Sequence, residues 1–152
     1  SLTIFENIAV PLTLQKLPPK KIESMIRNLA KSFGIDAQLD KYPGELSGGQ
    51  RQRASALRAI VKHPGILFAD EPTGALDSSS ATDLLNTLKE SNERLHTTIL
   101  MVTHDAYAAS FADRILIFKD GCIIQELLKQ NADRRTFYES IAREVAKLDT
   151  ER

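Results

Sequence analysis

Ile66-Leu67-Phe68-Ala69 runs directly into Asp70-Glu71-Pro72. A continuous apolar run between breakers, here Pro64-Gly65 and Pro72, reads as a strand buried on both faces. Thr98-Ile99-Leu100-Met101-Val102 repeats the pattern, and Ser79 to Arg94 lies between the two with Ala81, Leu84, Leu85 and Leu88 at helical spacing. Strand, helix and strand in alternation are what parallel βαβ units look like. A third strand is predicted over Arg114 to Phe118, after a short helix from about Ala106 to Phe111. Asp120-Gly121 then marks a tight hairpin returning through Cys122-Ile123-Ile124.

Upstream the period is that of helices. Thr3-Ile4-Phe5-Glu6 has capping-box spacing, with Phe5, Ile8, Ala9 and Leu12 behind it, and Pro11 is expected to end or bend that helix. Lys20 to Phe33 carries Ile22, Met25, Ile26, Leu29, Ala30 and Phe33 on one stripe, with Gly34 as its stop. Ser47-Gly48-Gly49-Gln50 is a second capping box, opening a helix to about Lys62 with Ala54, Leu57, Ile60 and Val61 inward. The tail sets Phe137, Ile141, Val145 and Leu148 on one helical stripe. The expected organisation is therefore a helical subdomain over residues 1–64, α/β core over 65–130 and a helical tail over 131–152.

Composition narrows the function classes. Twenty basic and 20 acidic residues cancel, so the basic excess that grips nucleic acid or anionic lipid is missing. One cysteine, Cys122, excludes an internal disulfide framework and fits a reducing compartment. No apolar run approaches the ~18 residues that span a bilayer, and the start at Ser1 lacks the features of a signal peptide. A soluble, cytoplasmic protein, beginning inside a longer chain, is the expectation.

Ligands of parallel sheets sit beyond the carboxyl ends of the strands. There the sequence puts Asp70-Glu71 after one strand and Thr103-His104-Asp105 after the next. An acidic pair at such a place can hold a hydrated Mg²⁺ and orient a water, and a histidine on the neighbouring strand end can reach the same space. Taken singly, Asp70-Glu71 reads equally as a polar strand exit and His104 as a helix cap. The third element is Leu46-Ser47-Gly48-Gly49-Gln50-Arg51-Gln52-Arg53. Unpaired N–H groups at a helix start favour an anion. Ser47 and Gln50 alone would make an ordinary cap. Two glycines at helical positions, each ~1 kcal/mol worse than alanine, are not what a plain cap needs.

At this point a family resemblance becomes specific. Leu46-Ser47-Gly48-Gly49-Gln50 resembles the signature motif of ABC ATPases, Ile66 through Glu71 their Walker B strand, Ala75-Leu76-Asp77 their D-loop, and His104 their switch histidine. Order and spacing agree across nearly the whole chain. The resemblance implies a partial P-loop NTPase fold and the cofactors ATP and Mg²⁺. It implies that Asp70 binds Mg²⁺ chiefly through water and that Glu71 is the general base for the attacking water. His104 would contact the γ-phosphate. Ser47, Gly48 and Gly49, with Gln50 beside them, would cradle the γ-phosphate of a nucleotide held by a partner subunit. Asp77 would link the two composite sites of a head-to-tail dimer. This division suits phosphoryl transfer, where positioning and charge stabilisation dominate. No Gly-x-x-x-x-Gly-Lys-Ser/Thr loop is present, since none of the seven glycines precedes a lysine. The first strand, the phosphate loop, the adenine-stacking aromatic and the Q-loop glutamine are expected upstream of Ser1, leaving the present chain inactive by itself.

The expected function is the ATP-hydrolysing subunit of a membrane ABC transporter, at the inner face of the cell membrane through a separate permease. Nucleic acid is not an expected partner. Asp70 through Asp77, with Phe5-Glu6-Asn7-Ile8 and Pro11-Leu12, resembles the ATPases of macrolide-export, lipoprotein-release and bacitracin-type systems. The helix around Phe137-Tyr138 and Ile141 most resembles the antimicrobial-peptide branch, though it reads equally as a core-covering helix. Two alternatives stand beside this: a non-transport ABC ATPase of the DNA-repair, chromosome or ribosome kind, and a non-catalytic dimerisation module. Long coiled coils, tandem cassettes or basic patches would mark the first. A carboxylate at Glu71 argues against the second. Cys122 reads as a small hydrophobe after a turn, His63 and His96 as exposed caps, and Arg51, Arg53 and Lys20-Lys21 as solvated surface.

Overall fold

The structure is a computed structural model that describes residues 1–150. It forms two compact units, Ser1–Leu100 and Met101–Arg152, with the division falling inside a strand.

The first unit begins with α1 (Ile4–Leu14), whose capping box closes as the spacing predicts: Glu6 N–H donates to Thr3 Oγ1 at 3.2 Å, and Thr3 N–H donates to Glu6 Oε2 at 2.7 Å. Pro11 does not end this helix, which continues a further turn to Leu14. Ile4, Ile8 and Leu12, on both sides of the proline, are buried in one cluster, and that packing outweighs the ~3 kcal/mol a helical proline costs. α2 (Pro19–Ser32) stops at Gly34, whose φ of +60° lets the chain reverse. Gly34 N–H donates to Lys31 O and Ile35 N–H to Ala30 O, the paired bonds of a Schellman stop. α3 (Gly48–Ile60) and α4 (Ser78–Leu95) complete the helices, with α1 packed on α2 and α3, and α3 on α4.

β1 (Ile66–Asp70) pairs with β2 (Thr98–Val102). Thr98 N–H donates to Gly65 O at 2.9 Å, so the two strands start side by side and run the same way. The start of β2 is fixed further by buried Thr97, whose Oγ1 donates to Pro64 O at 2.9 Å while its carbonyl accepts from Asn92 Nδ2 at 2.8 Å. Burial on both strand faces is not what the structure shows. Leu67 joins the core of Leu57, Ile60, Val61, Leu84 and Leu88, whereas Ile66, Phe68 and Leu100 stay 50 %, 69 % and 49 % exposed. Side chains alternate along a strand, and only one side of this pair is covered by the helices of its unit.

The second unit holds α5 (Ala106–Ala109), the hairpin β3 (Arg114–Lys119) and β4 (Cys122–Leu128), and α6 (Arg134–Thr150). Asp120 and Gly121 take φ of +51° and +79°, as a two-residue turn that follows strand twist requires. The strands are antiparallel, with Lys119 opposite Cys122 and a register shift between Ile117 and Phe118. α6 packs on α5, with Phe137 and Ile141 buried and Val145 exposed. The side chain of Leu148 lies outside the described residues.

Candidate nucleotide-contact site

Ser47 stands in extended conformation and accepts from Gln50 N–H at 3.2 Å, while Gln50 Oε1 accepts from Ser47 N–H at 3.0 Å. Two N–H groups of the first turn, those of Gly48 and Gly49, have no acceptor among the described residues. They are the free ends of a 13-residue helix, so partial positive charge gathers there. Arg51 is exposed, and its guanidinium also reaches back to Leu46 O, tying the motif to its own helix. Arg53 is largely buried against α4, its Nη1 4.0 Å from Asp83 Oδ2 and its Nε enclosed without a partner among the described residues.

The structure brings this helix start against the segment after β1. A Cβ on Gly48 would lie 3.6 Å from Ala75 O, and one on Gly49 would lie 3.4 Å from Leu76 Cδ2 and 3.6 Å from Ser80 Oγ. These are ordinary contact distances, and neither glycine has a positive φ. Packing and backbone conformation would accept alanine at both positions, so the fold alone does not explain the pair.

Asp70 is exposed at the end of β1. Glu71 follows with φ of +43°, a left-handed conformation that a side chain with a Cβ rarely adopts. Glu71 O accepts from Gly74 N–H at 3.1 Å and Thr73 O from Leu76 N–H at 3.0 Å, so two consecutive turns carry the chain to α4. Asp77 caps that helix, accepting from Ser80 N–H at 3.0 Å. The backbone N–H and hydroxyl of Ser80 hold its carboxyl below the usual carboxylate range. The folded pKa is depressed, so the cap's contribution is present above the ordinary range and lost as pH falls through the lowered value.

In the second unit His104 is exposed in the bend between β2 and α5. It is not the helix cap: Asp105 is, with Oδ1 accepting from Tyr107 N–H at 2.9 Å. Asp105 N–H in turn donates to Thr103 Oγ1 at 3.1 Å, so the residues on both sides of His104 are pinned. Sequence reading missed the inward turn of Arg53. Its spacing relative to Ala54 and Leu57 was visible, but a neighbouring helix had to be placed before Arg53 could be seen to face it. His63 and His96 do lie in left-handed conformation at helix ends, with His96 the C-cap of α4.

The chain is similar to known proteins in sequence and in fold. The ABC transporter family pattern matches residues 1–74. The bacitracin export ATP-binding protein BceA of Halalkalibacterium halodurans is 51 % identical over 141 residues, covering 93 % of this chain and 56 % of that protein. Among solved structures, the dimeric bacterial ABC transporter cassette MJ0796 superposes with a TM-score of 0.77 at 34 % identity, covering 86 % of this chain and 58 % of that one. CbiO1 of Clostridium perfringens, part of the ABC transporter complex cbiONQ, gives a TM-score of 0.79 at 27 % identity, covering 97 % and 58 %. The fold and the ordered motifs define an ABC-type ATPase cassette in part. The chain matches the ABC transporter family over residues 1–74 and resembles an ABC transporter ATP-binding protein over 93 % of its own length, and it spans about half the length of the relatives it matches.

Proposed function

We propose that the full-length protein carrying this sequence is the ATP-binding and ATP-hydrolysing subunit of a membrane ABC transporter, one that exports or removes antimicrobial-peptide or lipid-linked substrates. The observation that carries the reading is the start of α3: two unpaired glycine N–H groups at positions where the fold would accept side chains. A helix start kept bare and electropositive suits a phosphate approaching closely. Ser47, Gly48 and Gly49 serve this purpose, with Gln50 holding Ser47 in place. The nucleotide they meet is held mainly by a second ATPase subunit, a reading supported by the dimeric relative. Asp77, whose capping of α4 is already a complete structural role, also lies at the dimer seam.

Glu71 acts as the general base that orients or deprotonates water. Its strained backbone directs the chain sharply at a strand end, and strain of this kind concentrates at functional sites. Asp70 is a fitting holder for Mg²⁺, because a single exposed carboxylate beside substrate phosphates suits an ion that keeps several waters. Mg²⁺ would supply charge neutralisation on the phosphate oxygens. His104 contacts the γ-phosphate and reports its presence.

The subunit works on the cytoplasmic face, held to the membrane by its permease. Among the described residues no helix is long and apolar enough to cross a membrane, and the helical part, residues 1–64, is the face offered to the permease. Similarity to a bacitracin export protein supports the antimicrobial-peptide branch. Phe137 and Ile141 add nothing to that choice, since both are buried and cover their own unit's core. In the full-length subunit, Glu71→Gln should lower hydrolysis ~10²–10⁴-fold while ATP binding persists. Near-normal turnover in this variant would remove Glu71 as the base.

A further inference from the structure

Arg134 is the first residue of α6, after Asp133, whose Oδ1 accepts from Thr136 N–H at 3.0 Å and Oδ2 from Thr136 Oγ1 at 2.8 Å. A cation at a helix start opposes the helix dipole. Its neighbour Arg135 has an ion-pair partner in Glu139 at 3.2 Å, but Arg134 has no carboxylate partner among the described residues. Its guanidinium lies instead over two rings, with Cζ 4.5 Å from the centroid of Phe111 and 5.4 Å from that of Tyr107. The rings meet edge to face, centroids 5.5 Å apart and planes at 74°. Both distances are within the ~6 Å at which a ring face attracts a cation, and a weakly hydrated guanidinium stacks better than an ammonium.

Tyr107 and Phe111 belong to α5 and the turn after it. Tyr107 N–H donates to Asp105, and Asp105 N–H donates to Thr103. His104 therefore sits between two bonded neighbours in the bend before α5, a four-residue helix that is too short to hold itself. We infer that Arg134 is a positioning residue for His104: by clamping Tyr107 and Phe111 it fixes α5, and through the Asp105 cap it fixes the bend that carries the histidine. α6 thereby sets how rigidly the γ-phosphate contact is presented. The inference rests on the proposed role of His104.

A double-mutant cycle in the full-length subunit tests it, with kcat and ATP affinity measured separately. Arg134→Met keeps an unbranched apolar stem and removes the cation. It should lower kcat ~3–10-fold with little change in ATP affinity. In a His104→Ala background the same substitution should have no further effect on kcat, because the group it positions is gone. Arg134→Lys should recover only part of the loss, since an ammonium stacks on the rings less well than a guanidinium. Additive losses in the cycle, or a kcat unchanged by Arg134→Met, would overturn the inference. If His104→Ala itself leaves kcat unchanged, it is the reading of His104 that fails, and the inference with it. Should Arg134→Met not fold, Tyr107→Leu takes its place in the cycle, with the same non-additivity expected and additivity again counting against the clamp.

Discussion

Glu71 and Gly49 show how far single residues carry the function. Glu71 holds a left-handed backbone at a cost of roughly 1–2 kcal/mol, and the two turns that follow it hold the chain in that shape. Gly49 presents the opposite case, a residue with conformational freedom that its φ does not use. Since a Cβ there meets Leu76 and Ser80 at ordinary distances, Gly49→Ala should stabilise the folded chain by about 0.4–1 kcal/mol. It should at the same time weaken ATP-driven closure of the full-length dimer. Denaturant unfolding beside a closure assay separates the two effects. A destabilised but fully closing variant would mean that packing, and not ligand approach, demands the glycine. The acidic pair and the doubled glycine were legible in sequence; the strain at Glu71 was not, because φ follows from how β1 and α4 are joined in space.

At the level of elements, α3 acts as one device. Its capping box, its bare first turn, Arg51 folded back onto Leu46 and Arg53 facing Asp83 all lie on one helix. On the proposed reading, α3 works on the partner's nucleotide. Gly48→Asp would place a negative charge where the γ-phosphate enters, so closure should fail while each full-length subunit still binds ATP. Pairing that subunit with one whose phosphate loop is broken leaves one intact composite site and one with both defects. Some ATP-driven closure should survive in this heterodimer and be absent from either mutant homodimer. Normal closure and hydrolysis by the Gly48→Asp homodimer would reduce α3 to a capped helix. The cap spacings and the Asp120-Gly121 turn were readable because they depend on residues a few positions apart. The persistence of α1 through Pro11 was not, since it depends on Ile8 and Leu12 finding a buried cluster.

The molecule as a whole has a well-buried helical core and two strand pairs with large apolar side chains left open. Phe68 is 69 % exposed in the first unit and Phe118 64 % in the second. The sequence contains no phosphate-loop motif, so the 152-residue chain should bind Mg-ATP only weakly and show no turnover, the β-phosphate cradle being absent. Calorimetry would check this. Micromolar binding by these residues alone would show that the nucleotide site is placed wrongly.

The sequence by itself determined the order of helices and strands, both capping boxes, the hairpin turn, and the chemical types gathered at Ser47–Gln50, Asp70-Glu71 and His104. Each of these is encoded within a few residues, by apolar period, by a side chain that can reach a nearby N–H, or by a fixed short motif. Tertiary structure alone decided which face of β1 is covered, why a helix tolerates Pro11, and that Gly48 and Gly49 lie against the segment Ala75–Ser80 without needing to be glycine. It also decided that Arg134 on α6 meets Tyr107 and Phe111. These depend on residues far apart in the chain sharing one place, and burial and cation–ring attraction act on distance in space, whatever the distance in sequence.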